Sequence, residues 1–126
     1  MVAQAEAPVV VVDDTKSVCD LIREILRVQR IPSVGYTDPY EALRGMATSS
    51  ASVLITDFHM PGMDGQTLIQ SARHLTRNAH LHCFVVTSDV DAVRNAISDT
   101  TIPVLAKPVG IFHLAGMVAG ALAASA

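Results

Sequence analysis

Hydrophobic residues fall into short unbroken runs separated by longer stretches in which they recur every three or four positions. Four runs are plain, over residues 9–12, 53–55, 83–86 and 102–106. Each is too short for an ordinary helix and rich in β-branched residues, so each predicts a strand buried on both faces. A fainter run over residues 33–36 follows Pro32 and contains Gly35, which suits a weaker strand near a sheet edge. In the stretch after the first run, Val18, Leu21, Ile22 and Ile25 share one helical face while Asp20, Arg23, Glu24 and Arg27 lie largely elsewhere, the pattern of an amphipathic helix. Shorter patterns of the same kind predict helices over residues 39–47, 66–75 and 90–97, and a last one from about residue 111 to 122.

Five strands alternating with five helices predict a parallel sheet sandwiched by helices, because right-handed crossovers lay the helices on both faces. Ligands of such sheets bind beyond the carboxyl ends of the strands, near the point where strand order reverses. Chemistry is therefore expected just after each run. The first run ends in Asp13 and Asp14, the third in Asp57, the fourth in Thr87 and Ser88, and the fifth in Lys107. Three carboxylates gathered at one end of a sheet repel one another and raise each other's pKa unless a cation compensates. A hard divalent ion with oxygen ligands, such as magnesium, does this and leaves room for water and phosphoryl oxygens. Lys107 supplies a mobile positive charge and Thr87 a hydroxyl donor for such oxygens, which makes Asp57 the nucleophile of an acyl-phosphate reaction. Each residue also has a plainer reading. Asp14 suits an N-cap of the first helix, Thr87 a strand end, and Lys107 a solvated charge, and it is their combination that favours chemistry. Asp64, directly before Gly65 and a helical segment, reads as a structural cap rather than a ligand.

The composition fits one compact domain, with 126 residues of which 50% are hydrophobic. A formal net charge of -3, and lysine at positions 16 and 107 alone, leave no basic patch for nucleic acid. Cys19 and Cys83 stand in hydrophobic segments, as reduced core thiols of a cytoplasmic protein do. Residues 1–7 read as a disordered lead-in, and the domain is expected over residues 8–124. The charge-free stretch 109–126 is broken by Gly110, His113, Gly116 and Gly120 and does not favour a membrane span. The spacing of the histidines, His80 and His82 included, fits no ordinary zinc site.

The strings VVVVDD at 9–14, LITDFHMPGMDG at 54–65, VVTS at 85–88 and LAKP at 105–108 resemble, in order and spacing, the receiver domains of two-component response regulators of the chemotaxis-regulator kind. The resemblance implies a flavodoxin-like (βα)5 three-layer sandwich with a five-stranded parallel sheet of order 2-1-3-4-5. It implies phosphorylation of Asp57 by a phosphohistidine donor, either a sensor histidine kinase or a histidine phosphotransfer protein. It also implies magnesium or manganese bound by Asp14, Asp57 and the backbone carbonyl of His59, with Asp13 acting through a water. Thr87 and Lys107 take the roles of switch hydroxyl and phosphate-binding lysine, and the Lys107–Pro108 peptide is cis. One departure stands out: the family commonly carries Tyr or Phe three residues before the lysine, and this chain has Val104. Readout through a turning aromatic ring is then replaced by movement of the loop after Thr87 and the helix that follows.

Two other function classes share parts of this pattern. A haloacid-dehalogenase-type phosphatase also uses a carboxylate nucleophile and magnesium, but needs a second aspartate two positions on, where this chain has His59. A phosphorylation-independent scaffold that keeps only the fold would not require the full acidic set with Lys107. The last helix adds a surface: Ile111, Leu114, Ala115, Val118, Ala121 and Leu122 suffice for its core side, leaving Phe112, Met117 and small uncharged residues elsewhere. That face suits homodimerisation or docking of a partner or neighbouring domain.

Overall fold

The computed structural model describes residues 8–76 and 80–125; the lead-in expected over residues 1–7 lies outside them. The element order is β1 (Val9–Val12), α1 (Lys16–Val28), β2 (Ser33–Tyr36), α2 (Pro39–Met46), β3 (Val53–Asp57), α3 (Gly65–Leu75), β4 (His82–Thr87), α4 (Val90–Ala96), β5 (Val104–Ala106) and α5 (Ile111–Ser125). All strands pair in parallel, in the order β2-β1-β3-β4-β5. This is the fold the strand and helix pattern predicts.

The alternation of side chains along each strand builds two cores. Val10, Val12, Leu54 and Val85 face α2, α3 and α4, where they meet Met46, Leu68, Ile69 and Val93. Val9, Val11, Ile55 and Val86 face the other way, onto Ile22, Leu26, Leu114 and Val118 of α1 and α5. Burial from both sides is why β1 and β3 read as unbroken apolar runs, whereas the edge strand β2 is only partly buried.

Three details depart from the sequence pattern. Leu21, assigned to the buried stripe of α1, is 51% exposed, and the buried residues of that helix are Cys19, Ile22, Ile25 and Leu26. β3 and β4 extend to Asp57 and Thr87, so both residues end strands instead of following them. α5 continues to Ser125, three residues past the expected end, with Leu114, Ala115, Val118 and Ala121 buried; the side chain of Ile111 lies outside the described ones. Both thiols are free and buried. Burial in apolar surroundings pushes the Cys83 thiol up to about 11 and raises that of Cys19. No described helix is long and apolar enough to cross a membrane.

Candidate functional site

The chain leaves β1 outward to β2 and returns across it to β3, so strand order reverses between β1 and β3. In open parallel sheets ligands bind at such a reversal, beyond the carboxyl ends of the strands. The register sets the residues that flank it: Val12 pairs with Thr56, Asp57 with Val86, and Thr87 with Ala106. Asp13 and Asp14 therefore stand beside Asp57, while Thr87 and Lys107 close the site from the side of β4 and β5. One oxygen from each of Asp13, Asp14 and Asp57 lies within 4.8 Å of the others. His80 and His82 lie at the opposite end of β4.

Backbone contacts fix each group. The Asp13 N–H donates to the Tyr36 carbonyl at 3.2 Å, and Asp13 Oδ1 accepts from the Thr15 N–H at 2.9 Å. The residue that caps α1 is Thr15, without a side-chain bond, so Asp14 is exposed and free of the capping role that its position allowed. Asp57 Oδ1 accepts from the Phe58 N–H at 2.9 Å. Gly65 begins α3 against the same backbone: a Cβ there would stand 2.6 Å from the Asp57 carbonyl oxygen. Asp64 accepts from the Thr67 N–H at 2.8 Å, the capping role read for it. The Lys107 N–H donates to the Thr87 carbonyl at 2.8 Å, and the Lys107–Pro108 peptide is cis.

Lys107 reaches two carboxylates, Asp13 Oδ2 at 2.8 Å and Asp57 Oδ1 at 3.3 Å. The shorter contact goes to Asp13, a preference not legible from spacing alone. Asp13 is buried, and its Oδ2 is held by this ion pair. Burial and then the negative charge of Asp13 raise the pKa of Asp57, against the opposing pull of Lys107 and the Phe58 N–H. Burial works against the Lys107 ammonium, but the hydrogen bond and charge of Asp13, joined by Asp57, outweigh it and raise its pKa.

Such a site is short of positive charge. Of the three carboxylates, Asp13 and Asp57 are paired with the Lys107 ammonium, and among the described residues no ion pair is made by Asp14. The available donors are hard oxygens, which suits a small divalent cation such as magnesium better than a soft metal. Thr87 is 1% exposed, and its Oγ1 accepts from the Asp89 N–H at 3.1 Å, so its own hydrogen remains available to donate. Asp89 in turn caps α4, accepting from the Ala92 N–H at 3.3 Å. Val104 is buried among the residues facing α2, α3 and α4. Sequence reasoning also passed over Tyr40, whose hydroxyl donates to the Gly62 carbonyl at 3.1 Å across 22 positions of chain.

Over residues 9–119 the chain matches the response regulator receiver domain family. It is 29% identical over 114 residues to the DNA-binding transcriptional regulator NtrC of Escherichia coli, covering 89% of this chain and 24% of NtrC. It is 30% identical over 87 residues to the chemotaxis protein CheY of Pseudomonas aeruginosa, covering 64% of this chain and 66% of that protein. The chain spans about a quarter of the length of NtrC. Its fold superposes with a TM-score of 0.80 on a response regulator receiver domain protein from Clostridium thermocellum, at 23% identity and with 93% of this chain and 94% of that one covered.

Proposed function

Because the chain belongs to the response regulator receiver domain family, we propose that it signals by accepting a phosphoryl group on Asp57 from a phosphohistidine of a sensor histidine kinase or a histidine phosphotransfer protein. The observation that carries this reading is the meeting, at the β1–β3 reversal, of the Asp57 carboxylate with those of Asp13 and Asp14 and with the Lys107 ammonium.

In the transfer, an Asp57 oxygen forms a bond to phosphorus as the phosphorus–nitrogen bond of the donor breaks. The electron pair departs on the imidazole nitrogen, which takes up a proton, and the product is an acyl phosphate. The Phe58 N–H and Lys107 both engage Oδ1, so Oδ2 is the oxygen assigned to attack. No general base is required for a nucleophile that carries no proton. Lys107, displaced from Asp57 as that charge moves onto the phosphoryl group, follows it and pairs with a phosphoryl oxygen while keeping Asp13. The Thr87 hydroxyl donates to another. Asp14, Asp57 and the His59 carbonyl would hold Mg2+ or Mn2+, with Asp13 reached through a water. When bound, the ion supplies the positive charge that lets an anionic carboxylate approach an anionic phosphoryl group.

The protein on this reading is a phosphoacceptor of the cytoplasm and not an enzyme turning over a separate substrate. With Val104 in place of an aromatic, the readout is assigned to the loop after Thr87 and to α4. The α5 face is assigned to self-association or docking; Phe112, 83% exposed on a helix without charged residues, supports it.

Intact-mass spectrometry after incubation with acetyl phosphate and magnesium tests the central claim. One phosphoryl adduct is expected, lost in Asp57→Asn and on chelation. No adduct, even with a phosphohistidine donor, would replace this reading with that of a phosphorylation-independent scaffold.

A further inference from the structure

The segment from Phe58 to Asp64, between β3 and α3, carries His59. Its two ends are anchored locally: the Gly65 N–H donates to the Phe58 carbonyl at 2.7 Å, and Asp64 caps α3. Its middle is held from another element. Tyr40, in the first turn of α2, donates its hydroxyl to the Gly62 carbonyl at 3.1 Å. Gly62 has φ +85°, in the left-handed region, and a Cβ built on it would stand 3.3 Å from Tyr40 Cε2, so the ring lies directly on the turn. The base of Tyr40 is itself fixed, because its N–H donates to Asp38 Oδ1 at 2.9 Å and Pro39 beside it is buried.

The tyrosine is 49% exposed, so burial of its ring in a core does not account for its placement. Its hydroxyl makes a directed bond to the turn and its ring is laid on Gly62. We infer that Tyr40 is a positioning residue for the cation site, clamping the Phe58–Asp64 segment so that the backbone at His59 is held ready to coordinate. This rests on the proposal that the His59 carbonyl is a ligand. Mg2+ tolerates little departure from octahedral geometry, so a backbone ligand on an unclamped turn must be ordered at the moment of binding. Tyr40 meets that ordering cost in advance. A directed hydrogen bond contributes roughly 0.5 to 1.5 kcal/mol net, which converts to about a two- to tenfold weakening of affinity when it is removed.

Calorimetric titration with Mg2+ of the wild type, Tyr40→Phe and Tyr40→Ala tests this, alongside hydrogen exchange of the amides of residues 59–63 without metal. The expected result is a dissociation constant raised about two- to tenfold in Tyr40→Phe, more in Tyr40→Ala, with faster exchange confined to this segment. The Mg2+ concentration for half-maximal phosphorylation by acetyl phosphate should rise by the same factor, the rate at saturating Mg2+ changing less. Unchanged Mg2+ affinity in both variants overturns the inference while leaving the phosphoacceptor reading intact. Loss of affinity accompanied by faster exchange throughout the domain also overturns it, since Tyr40 would then be a general structural contact. A wild type that neither binds Mg2+ nor gains a phosphoryl group removes both proposals together.

Discussion

Asp57 sits where its charge is poorly solvated and faces a second negative charge, and its pKa is raised by burial first and by Asp13 second. A raised pKa in the native state means that the folded protein holds the proton more tightly than the unfolded chain does. The stability this contributes is complete below the ordinary carboxylate range and is lost as pH rises through the raised value. At neutral pH the ionised Asp57 is therefore a burden on the fold. Asp57→Asn keeps the shape and removes the titration. Urea unfolding of the two proteins from pH 4 to pH 8, without divalent metal, should show the variant more stable at neutral pH, the gap closing toward pH 4. Lys107 does not alter this sign, because its raised pKa keeps it protonated across that whole range. A variant less stable than wild type at pH 7 would mean that the Lys107 and Phe58 contacts outweigh burial and repulsion. Asp57, Lys107 and Thr87 were legible as residues because each closes an apolar run. The choice by Lys107 of Asp13 as its nearer partner was not, since it depends on where two loops place an ammonium.

Helices show most clearly where periodicity succeeds and where it slips. In α1 the apolar spacing was right in kind but misaimed: the buried set is Cys19, Ile22, Ile25 and Leu26, with Val18 partly buried against it and Leu21 exposed. Including Cys19 and Leu26 and omitting Leu21 turns the centre of the stripe by roughly 50°, at 3.6 residues per turn. A cysteine, as readily buried as a valine, carries that correction. In α5 nothing charged marks the outer face, yet apolar spacing set its rotation: Leu114, Ala115, Val118 and Ala121 face the core as expected, and Phe112, Gly116, Ala119 and Ala123 face outward. An uncharged exposed face of this kind favours association. Ala119→Glu places a carboxylate in its middle without disturbing a buried residue. If α5 mediates self-association, sedimentation at high protein concentration should show a concentration-dependent species in the wild type that Ala119→Glu weakens by tenfold or more, since a desolvated charge costs at least about 1.4 kcal/mol. Identical sedimentation of the two proteins would exclude a dimer through this face.

At the scale of the whole molecule, the sheet gathers three carboxylates at one end of a core that is well packed on both faces. Strand order and the place of the site followed from the alternation of short apolar runs with helical spacing, because central parallel strands must be apolar on both sides and their polar ends must converge. Contacts between elements far apart in sequence, such as Tyr40 with Gly62 or Arg73 with Leu81 and Asp99, carried no such signature, since neither partner belongs to a repeating pattern. The gathering itself has a thermodynamic consequence. A cation that binds only the folded site stabilises the entire domain, because the unfolded chain separates the same carboxylates. At ten times its dissociation constant the gain is about 1.4 kcal/mol, which in a domain of this size corresponds to roughly 5 °C in Tm. Thermal unfolding in rising Mg2+ should therefore move upward by that amount in the wild type, and by much less in Asp14→Asn, which loses an exposed carboxylate proposed as a ligand but no core contact. Asp14→Asn also relieves some of the repulsion, so its Tm without metal should equal or exceed that of the wild type. The two unfolding curves then cross as Mg2+ is added, and it is this crossing that separates a cation site from a merely acidic surface, where Asp14→Asn and wild type would keep a constant offset.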